Sequence, residues 1–193
     1  MTRLTVLFAL VAGILAAGSP ASPAAAQKWY EKAVKKVEAS FSPAEAKPGQ
    51  TVTFTLTLEL NDGYHTYPTV QTDKEAAAMV NELKFPDAGA VVFVGKVDDP
   101  KDTKTKAEPD LGIAELRYCT GSVTYTRKAV VSPKAAAGAA TVKLPSFKIS
   151  VCDKDNCFPP KAVPVEATLK VLDGPAVEVE KAYANEVKKA LEK

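Results

Sequence analysis

Along most of the chain, apolar and polar positions alternate with a period of two, which predicts strands rather than helices. The clearest case is 51–60, where Val52, Phe54, Leu56, Leu58 and Leu60 alternate with Thr51, Thr53, Thr55, Thr57 and Glu59. One face is apolar and the other rich in threonine, the pattern of a half-buried strand with high β-branched content. Pro48-Gly49 turns the chain before it and Asn61-Asp62-Gly63 after it. Residues 37–42 alternate more briefly ahead of Pro43 and read as an edge strand. Further strand patterns occupy 90–97, 113–119, 123–131, 141–152 (broken by Pro145) and 163–171. Thr120-Gly121 between the second and third of these predicts a hairpin.

Helical periodicity is scarce. Residues 29–36 are short, basic and weakly helical. Residues 73–83 predict the one internal helix, with Thr72 or Asp73 as N-cap and Ala76, Ala77, Val80 and Leu83 on one side. Pro175 is expected to open a C-terminal amphipathic helix carrying Val179, Ala182, Tyr183, Val187, Ala190 and Leu191. The charged, proline-bounded stretch 98–109 reads as a mobile loop, and 135–140 as a loop of small residues. Seven or eight short strands with frequent turns predict an all-β fold, a β-sandwich over 27–172, followed by a short helix in 173–193.

The amino terminus changes the compartment. Arg3 precedes an apolar run over 4–17, shorter than the ~20 residues of a membrane span, and Ala24-Ala25-Ala26 supplies an A-x-A cleavage site. We expect a signal peptide over 1–26, cut between Ala26 and Gln27, and a soluble exported product. Loss of Arg3 takes the net charge from +2 to +1, with 24 basic residues left against 23 acidic ones. Such a balance gives no support for nucleic acid or an acidic membrane surface as partner.

Little conventional catalytic chemistry remains. His65 is the sole histidine, and neither a Gly-x-Ser-x-Gly elbow nor a phosphate-binding or dinucleotide glycine motif accompanies it. A closed zinc site would consume His65 and all three cysteines, and Met79 is the one methionine beyond the leader, so no metal or cofactor is expected. The informative stretch is 149–161, I-S-V-C-D-K-D-N-C-F-P-P-K. Cys152 and Cys157 flank a polar turn, and a bridge closing so small a ring gains only about 2 kcal/mol on the chain-entropy model. Two readings stand side by side: a static staple of an exported protein, or a bridge that exists to open and close. Cys119 is left odd, either a small buried apolar residue or a third member of an exchange relay.

Cys-x4-Cys-Phe-Pro-Pro-Lys followed by Val163-Pro164-Val165, with Pro48-Gly49-Gln50-Thr51-Val52 and Asp62-Gly63-Tyr64-His65-Thr66-Tyr67 upstream, resembles the N-terminal domain of the thiol:disulfide interchange protein DsbD. The resemblance spans about 37–171. It implies an immunoglobulin-like sandwich in the periplasm that relays reducing equivalents between a membrane-embedded oxidoreductase and thioredoxin-like partners. Cys152 and Cys157 would be the redox pair, with Cys157 the sulfur that joins the partner. Tyr64, His65 and Tyr67 match the aromatic turn near the pair, and Phe158 follows the second cysteine. Asp110-Leu111-Gly112 falls at the loop that caps the disulfide, with Leu111 where an aromatic often stands. Neither a membrane electron-transport segment nor a thioredoxin-like Cys-x-x-Cys is present, so electrons are expected to come from a separate chain. The competing expectation is a non-catalytic sandwich that binds a protein partner and keeps its disulfide closed.

Overall fold

In the computed structural model, which describes residues 23–192, the alternating stretches become sheet almost wherever they occur. The expected leader, 1–26, lies outside the described residues except for 23–26. The elements in chain order are α1 (Pro23–Ala33), β1 (Val34–Ser42), β2 (Glu45–Ala46), β3 (Thr51–Leu60), β4 (His65–Thr66), β5 (Glu82–Lys84), β6 (Val91–Asp98) and β7 (Lys104–Glu108). A 3₁₀ turn, Pro109–Leu111, leads to β8 (Ile113–Thr120), β9 (Ser122–Val131), β10 (Gly138–Lys143), β11 (Ser146–Ile149), β12 (Val151–Cys152), β13 (Lys161–Val163), β14 (Glu166–Val171) and α2 (Ala184–Leu191).

The strands order as β1-β3-β9-β6 in one sheet and as β10-β14-β2, β13-β11-β5 and β12-β4-β8-β7 in the others. Strand β3 lies at the centre because its alternation is unbroken: Val52, Phe54, Leu56, Leu58 and Leu60 are each at most 5% exposed. Burying a side chain of this kind contributes about 1.5–3 kcal/mol relative to leaving it in water. The apolar face of β3 meets Phe147, Ile149, Val163, Ala167 and Leu169 in one continuous core. The molecule is thus an all-β sandwich with a short C-terminal helix. Among the described residues no helix is long and apolar enough to cross a membrane.

Four sequence expectations are corrected. Residues 73–83 form no helix. The Asp73 carboxylate instead accepts N–H bonds from Ala114 and Glu115 on β8 (2.9 and 3.1 Å). The Gln71 amide accepts from Arg117 N–H (3.0 Å) and donates to its carbonyl (2.9 Å). These side chains continue the edge of β8 that β4 begins, so the intervening backbone closes only four-residue turns, such as Met79 N–H to Ala76 O at 2.8 Å. Leu83 then belongs to β5, against β11.

The stretch 98–109 is not simply a loop, since β7 pairs with β8. Its sequence, KTKAE, has no apolar alternation to detect. As an edge strand it carries charge where a hydrophobic edge would invite aggregation. Nor do 113–131 make a hairpin. Strand β8 pairs with β4 and β7, β9 with β3 and β6, and Gly121 (φ 68°) turns the chain from one sheet to the other.

The C-terminal helix starts at Ala184, well after Pro175. The chain first crosses Gly49 in extended form, Val177 N–H donating to Pro48 O at 2.8 Å. A Cβ on Gly49 would lie 2.0 Å from the Val177 carbonyl oxygen, and its φ of +84° also favours glycine. Helix α2 then seats Val187 on Val92, Val94 and Val130.

Candidate functional site

The two cysteines meet because the turn between them is ordered by its own hydrogen bonds. Strand β12 pairs with β4, placing Cys152 opposite His65. Beyond it, Asp153 Oδ1 accepts the N–H groups of Asp155 (2.8 Å) and Asn156 (2.7 Å), while Asp153 N–H donates to Asn156 O (2.9 Å). Those backbone donors hold the Asp153 carboxyl below the usual carboxylate range. Phe158 N–H closes the far side on Val151 O (3.0 Å). Cys157 therefore returns beside Cys152, and the two sulfurs are bonded.

The disulfide is asymmetric. Cys152 is 2% exposed, whereas Cys157 faces solvent. The Tyr67 hydroxyl lies 2.9 Å from Cys152 Sγ and 3.7 Å from Cys157 Sγ. Bonded sulfurs carry no proton, so the hydroxyl is the donor. Burial, with a smaller contribution from Glu108, pushes the Tyr67 phenol up to about 12, and it stays protonated at neutral pH. Above the bridge is a hollow of 180 Å³ lined by His65, Tyr67, Met79, Lys106, Glu108 and Leu111 among others. Burial, then the Lys106 charge, lowers the His65 pKa, which favours the neutral ring. That ring meets Tyr67 and Tyr118 edge-on at 5.7 and 5.5 Å. Lys106 and Glu108 pair at 2.6 Å on the rim. Leu111, 57% exposed, stands on the 3₁₀ turn that ends at Gly112 (φ 69°).

Of the residues singled out in the sequence, Cys152, Cys157, His65, Tyr67 and Leu111 are brought together at this hollow. Phe158 and Tyr64 lie outside its lining. Phe158 stacks on Trp29 of α1 (5.3 Å, planes 5° apart), with Tyr64 tilted against it at 6.2 Å. Cys119 is buried in the main core opposite Thr66, on the face of Val151 rather than that of Cys152. The sheet thus separates its thiol from the bridge.

Sequence reasoning missed the buried polar network behind the site. Asn81, 1% exposed, donates to Thr66 Oγ1 (2.8 Å) and Tyr125 Oη (2.7 Å) and accepts from Ser150 N–H (2.8 Å). Tyr125 in turn donates to Tyr67 O (2.6 Å), and Thr66 to Ser150 O (2.7 Å). One amide therefore fixes the backbone that carries Tyr67 and the residues entering β12. Asn81 lies within the stretch 73–83 that reads as a helix, off its apolar side, so nothing in the sequence marked it as buried.

No family model matches the sequence, and no curated protein matches it. Solved structures similar to this chain include the N-terminal periplasmic domain of ScsB from Proteus mirabilis, 14% identical over 80% of this chain and 52% of that one, with a TM-score of 0.43. The chain thus spans about half the length of that relative. A second is a chain of the Coh-OlpA-Doc918 cohesin–dockerin complex from Clostridium thermocellum, 17% identical over 72% of this chain and 100% of that one, with a TM-score of 0.42. Neither likeness assigns chemistry to this chain.

Proposed function

We propose that the protein is an exported thiol:disulfide exchange protein that passes reducing equivalents through the Cys152–Cys157 bridge to or from a thioredoxin-like partner. The observation that carries this reading is the asymmetry of the bridge, one sulfur buried against a phenol and the other open at the rim of a hollow. The sequence resemblance of 149–161 to the interchange family agrees with it. At 180 Å³ the hollow is smaller than the roughly 300–1,000 Å³ of small-molecule sites, which favours a protein thiol as reactant.

A partner thiolate attacks the accessible sulfur, Cys157 Sγ. A new S–S bond forms to the partner, the Cys152–Cys157 bond breaks, and its electron pair leaves on Cys152 Sγ as a thiolate. The Tyr67 hydroxyl, already aimed at that sulfur, strengthens its hydrogen bond as the charge develops. The partner's second thiolate then attacks the partner's own sulfur in the mixed disulfide and releases Cys157. The partner loses two electrons and leaves with a disulfide, while Cys152 and Cys157 gain the electrons and two protons. Run backwards, Cys157 is the attacking thiolate and Cys152 resolves. Leu111 caps the hollow and limits access to the bridge.

The test is trapping with a thioredoxin-like protein whose own resolving cysteine is replaced by serine and whose remaining thiol is activated as its 5-thio-2-nitrobenzoate mixed disulfide, so that an attacking thiolate forms the new S–S bond and displaces the aryl thiolate. Cys152→Ser, which leaves Cys157 free, is expected to accumulate a mixed disulfide, and Cys157→Ser is not. Equal trapping by both variants refutes the assignment of Cys157. Trapping by neither, with a bridge potential below about −300 mV, identifies the static staple of a non-catalytic binding module instead.

A further inference from the structure

Arg127 disagrees with the strand that carries it. On β9, Val123, Tyr125, Ala129 and Val131 are each at most 1% exposed and face the core, and Arg127 falls on the same face between them. Its partners in register are Phe54 on β3 and Val97 on β6. A guanidinium aimed inward is costly unless something pairs with it, because it does not give up its proton.

The protein supplies only part of that pairing. The guanidinium lies 4.5 Å from the Phe85 ring centre and 5.8 Å from that of Phe93. Nε donates to Val94 O at 3.4 Å, where a register shift in β6 between Val94 and Val97 loosens the ladder. No carboxylate among the described residues forms an ion pair with it. Glu186, whose field reaches it, instead accepts Gly95 N–H at 2.9 Å. Arg127 lines a cleft of 600 Å³ together with Leu83, Phe85, Val92 and Phe93, with Asp87 also in its lining and α2 contributing Ala190. This cleft shares no residue with the hollow at the disulfide.

We propose that the cleft binds a small aromatic monocarboxylate, its carboxylate on the terminal nitrogens of Arg127 and its ring against Phe85 and Phe93. A planar fork already stacked on an aromatic face is preorganised for bidentate pairing with a carboxylate. The phenylalanine pair, 4.5 Å apart, offers the apolar contact a ring fills. One unpaired cation, with the Asp87 carboxylate among the lining residues, favours a single negative charge over two. The volume lies within the range of small-ligand sites. This site is independent of the proposed disulfide exchange.

The test is a ¹H–¹⁵N NMR titration of the full chain with 3-phenylpropionate, run beside 3-phenylpropan-1-ol, which keeps the ring and loses the charge, and acetate, which does the reverse. Phenylpropionate is expected to bind saturably, with shifts centred on the amides of Phe85, Phe93 and Arg127. Both controls should bind at least about tenfold more weakly, the factor a charge-assisted hydrogen bond or a buried ring contributes. Arg127→Gln, folded by circular dichroism, should lose the same factor. The ligand series on the parent protein decides the matter even if that variant fails to fold. No saturation, shifts centred elsewhere, or an alcohol binding within about threefold of the carboxylate would each overturn the proposal.

Discussion

Replacing Tyr67 by Phe removes one oxygen from the proposed exchange site and little else. The ring stays packed with Ala76, Ile113 and Leu116, and the Tyr67 carbonyl keeps its bond from Tyr125. No buried donor is orphaned, because the lost group was itself the donor to Cys152 Sγ. Stability should therefore fall by no more than about 1.5 kcal/mol, the upper value for a neutral hydrogen bond. The kinetic effect should be larger. A hydrogen bond to a charged acceptor contributes about 1.5–3 kcal/mol against about 0.5–1.5 for a neutral one, so the Tyr67 bond strengthens by about 1.3 kcal/mol as Cys152 leaves as thiolate. Its loss should slow bridge opening roughly tenfold. The measurement is stopped-flow reduction of the oxidised protein by excess dithiothreitol. Its readout is emission from Trp29, the sole tryptophan, which stacks on the residue after Cys157. Acid quenching with thiol alkylation calibrates the signal. A rate within twofold of the parent would mean that the hydroxyl does not stabilise the leaving sulfur or that Cys152 is not the leaving group, since Cys157 Sγ lies 3.7 Å from it.

Three further outcomes are expected. His65 has a folded pKa below its ordinary value, so the unfolded chain binds the extra proton first as pH falls. Stability should be full above pH ~6.5, decline as pH drops through that value, and level off below the lowered folded pKa. His65→Gln should flatten that limb of a Tm-against-pH curve, and an unchanged limb refutes the cause. Asn81→Ala leaves the Ser150 N–H without its acceptor and removes the donors to Thr66 Oγ1 and Tyr125 Oη, which keep their own bonds to Ser150 O and Tyr67 O, and should cost about 2–4 kcal/mol by urea unfolding; a loss under 1 kcal/mol would show that the network tolerates the gap. Leu111→Ala, at a side chain 57% exposed, should leave Tm within about 2 °C yet speed reduction by a small thiol; a reaction no faster than the parent's would count against its role as a cap.

Period-two alternation by itself determined the sandwich. Residues 51–60 and 163–171 bury every second side chain, 123–131 does so except at Arg127, and a slip of one residue would turn each of these apolar faces to solvent. The cysteine pair and its polar turn were equally legible, because the hydrogen bonds of Asp153 are local and follow from residue types two and three positions away. Which strands pair was not legible. Gly121 looks like a hairpin turn in sequence, but burial of β8 at Ile113, Leu116 and Cys119 follows a period of three, and the partners that set it, β4 and β7, are short or charged. The expected helix at 73–83 failed for a related reason. Local propensity favours it, but Gln71 and Asp73 satisfy more backbone groups by completing the edge of β8, a gain that exists only once the sheet is built. The same holds at the bridge. That one sulfur is buried under Tyr67 while the other is open, and that Asn81 holds the backbone behind them, depends on contacts between residues 15–90 positions apart, and such contacts leave no periodic trace in the chain.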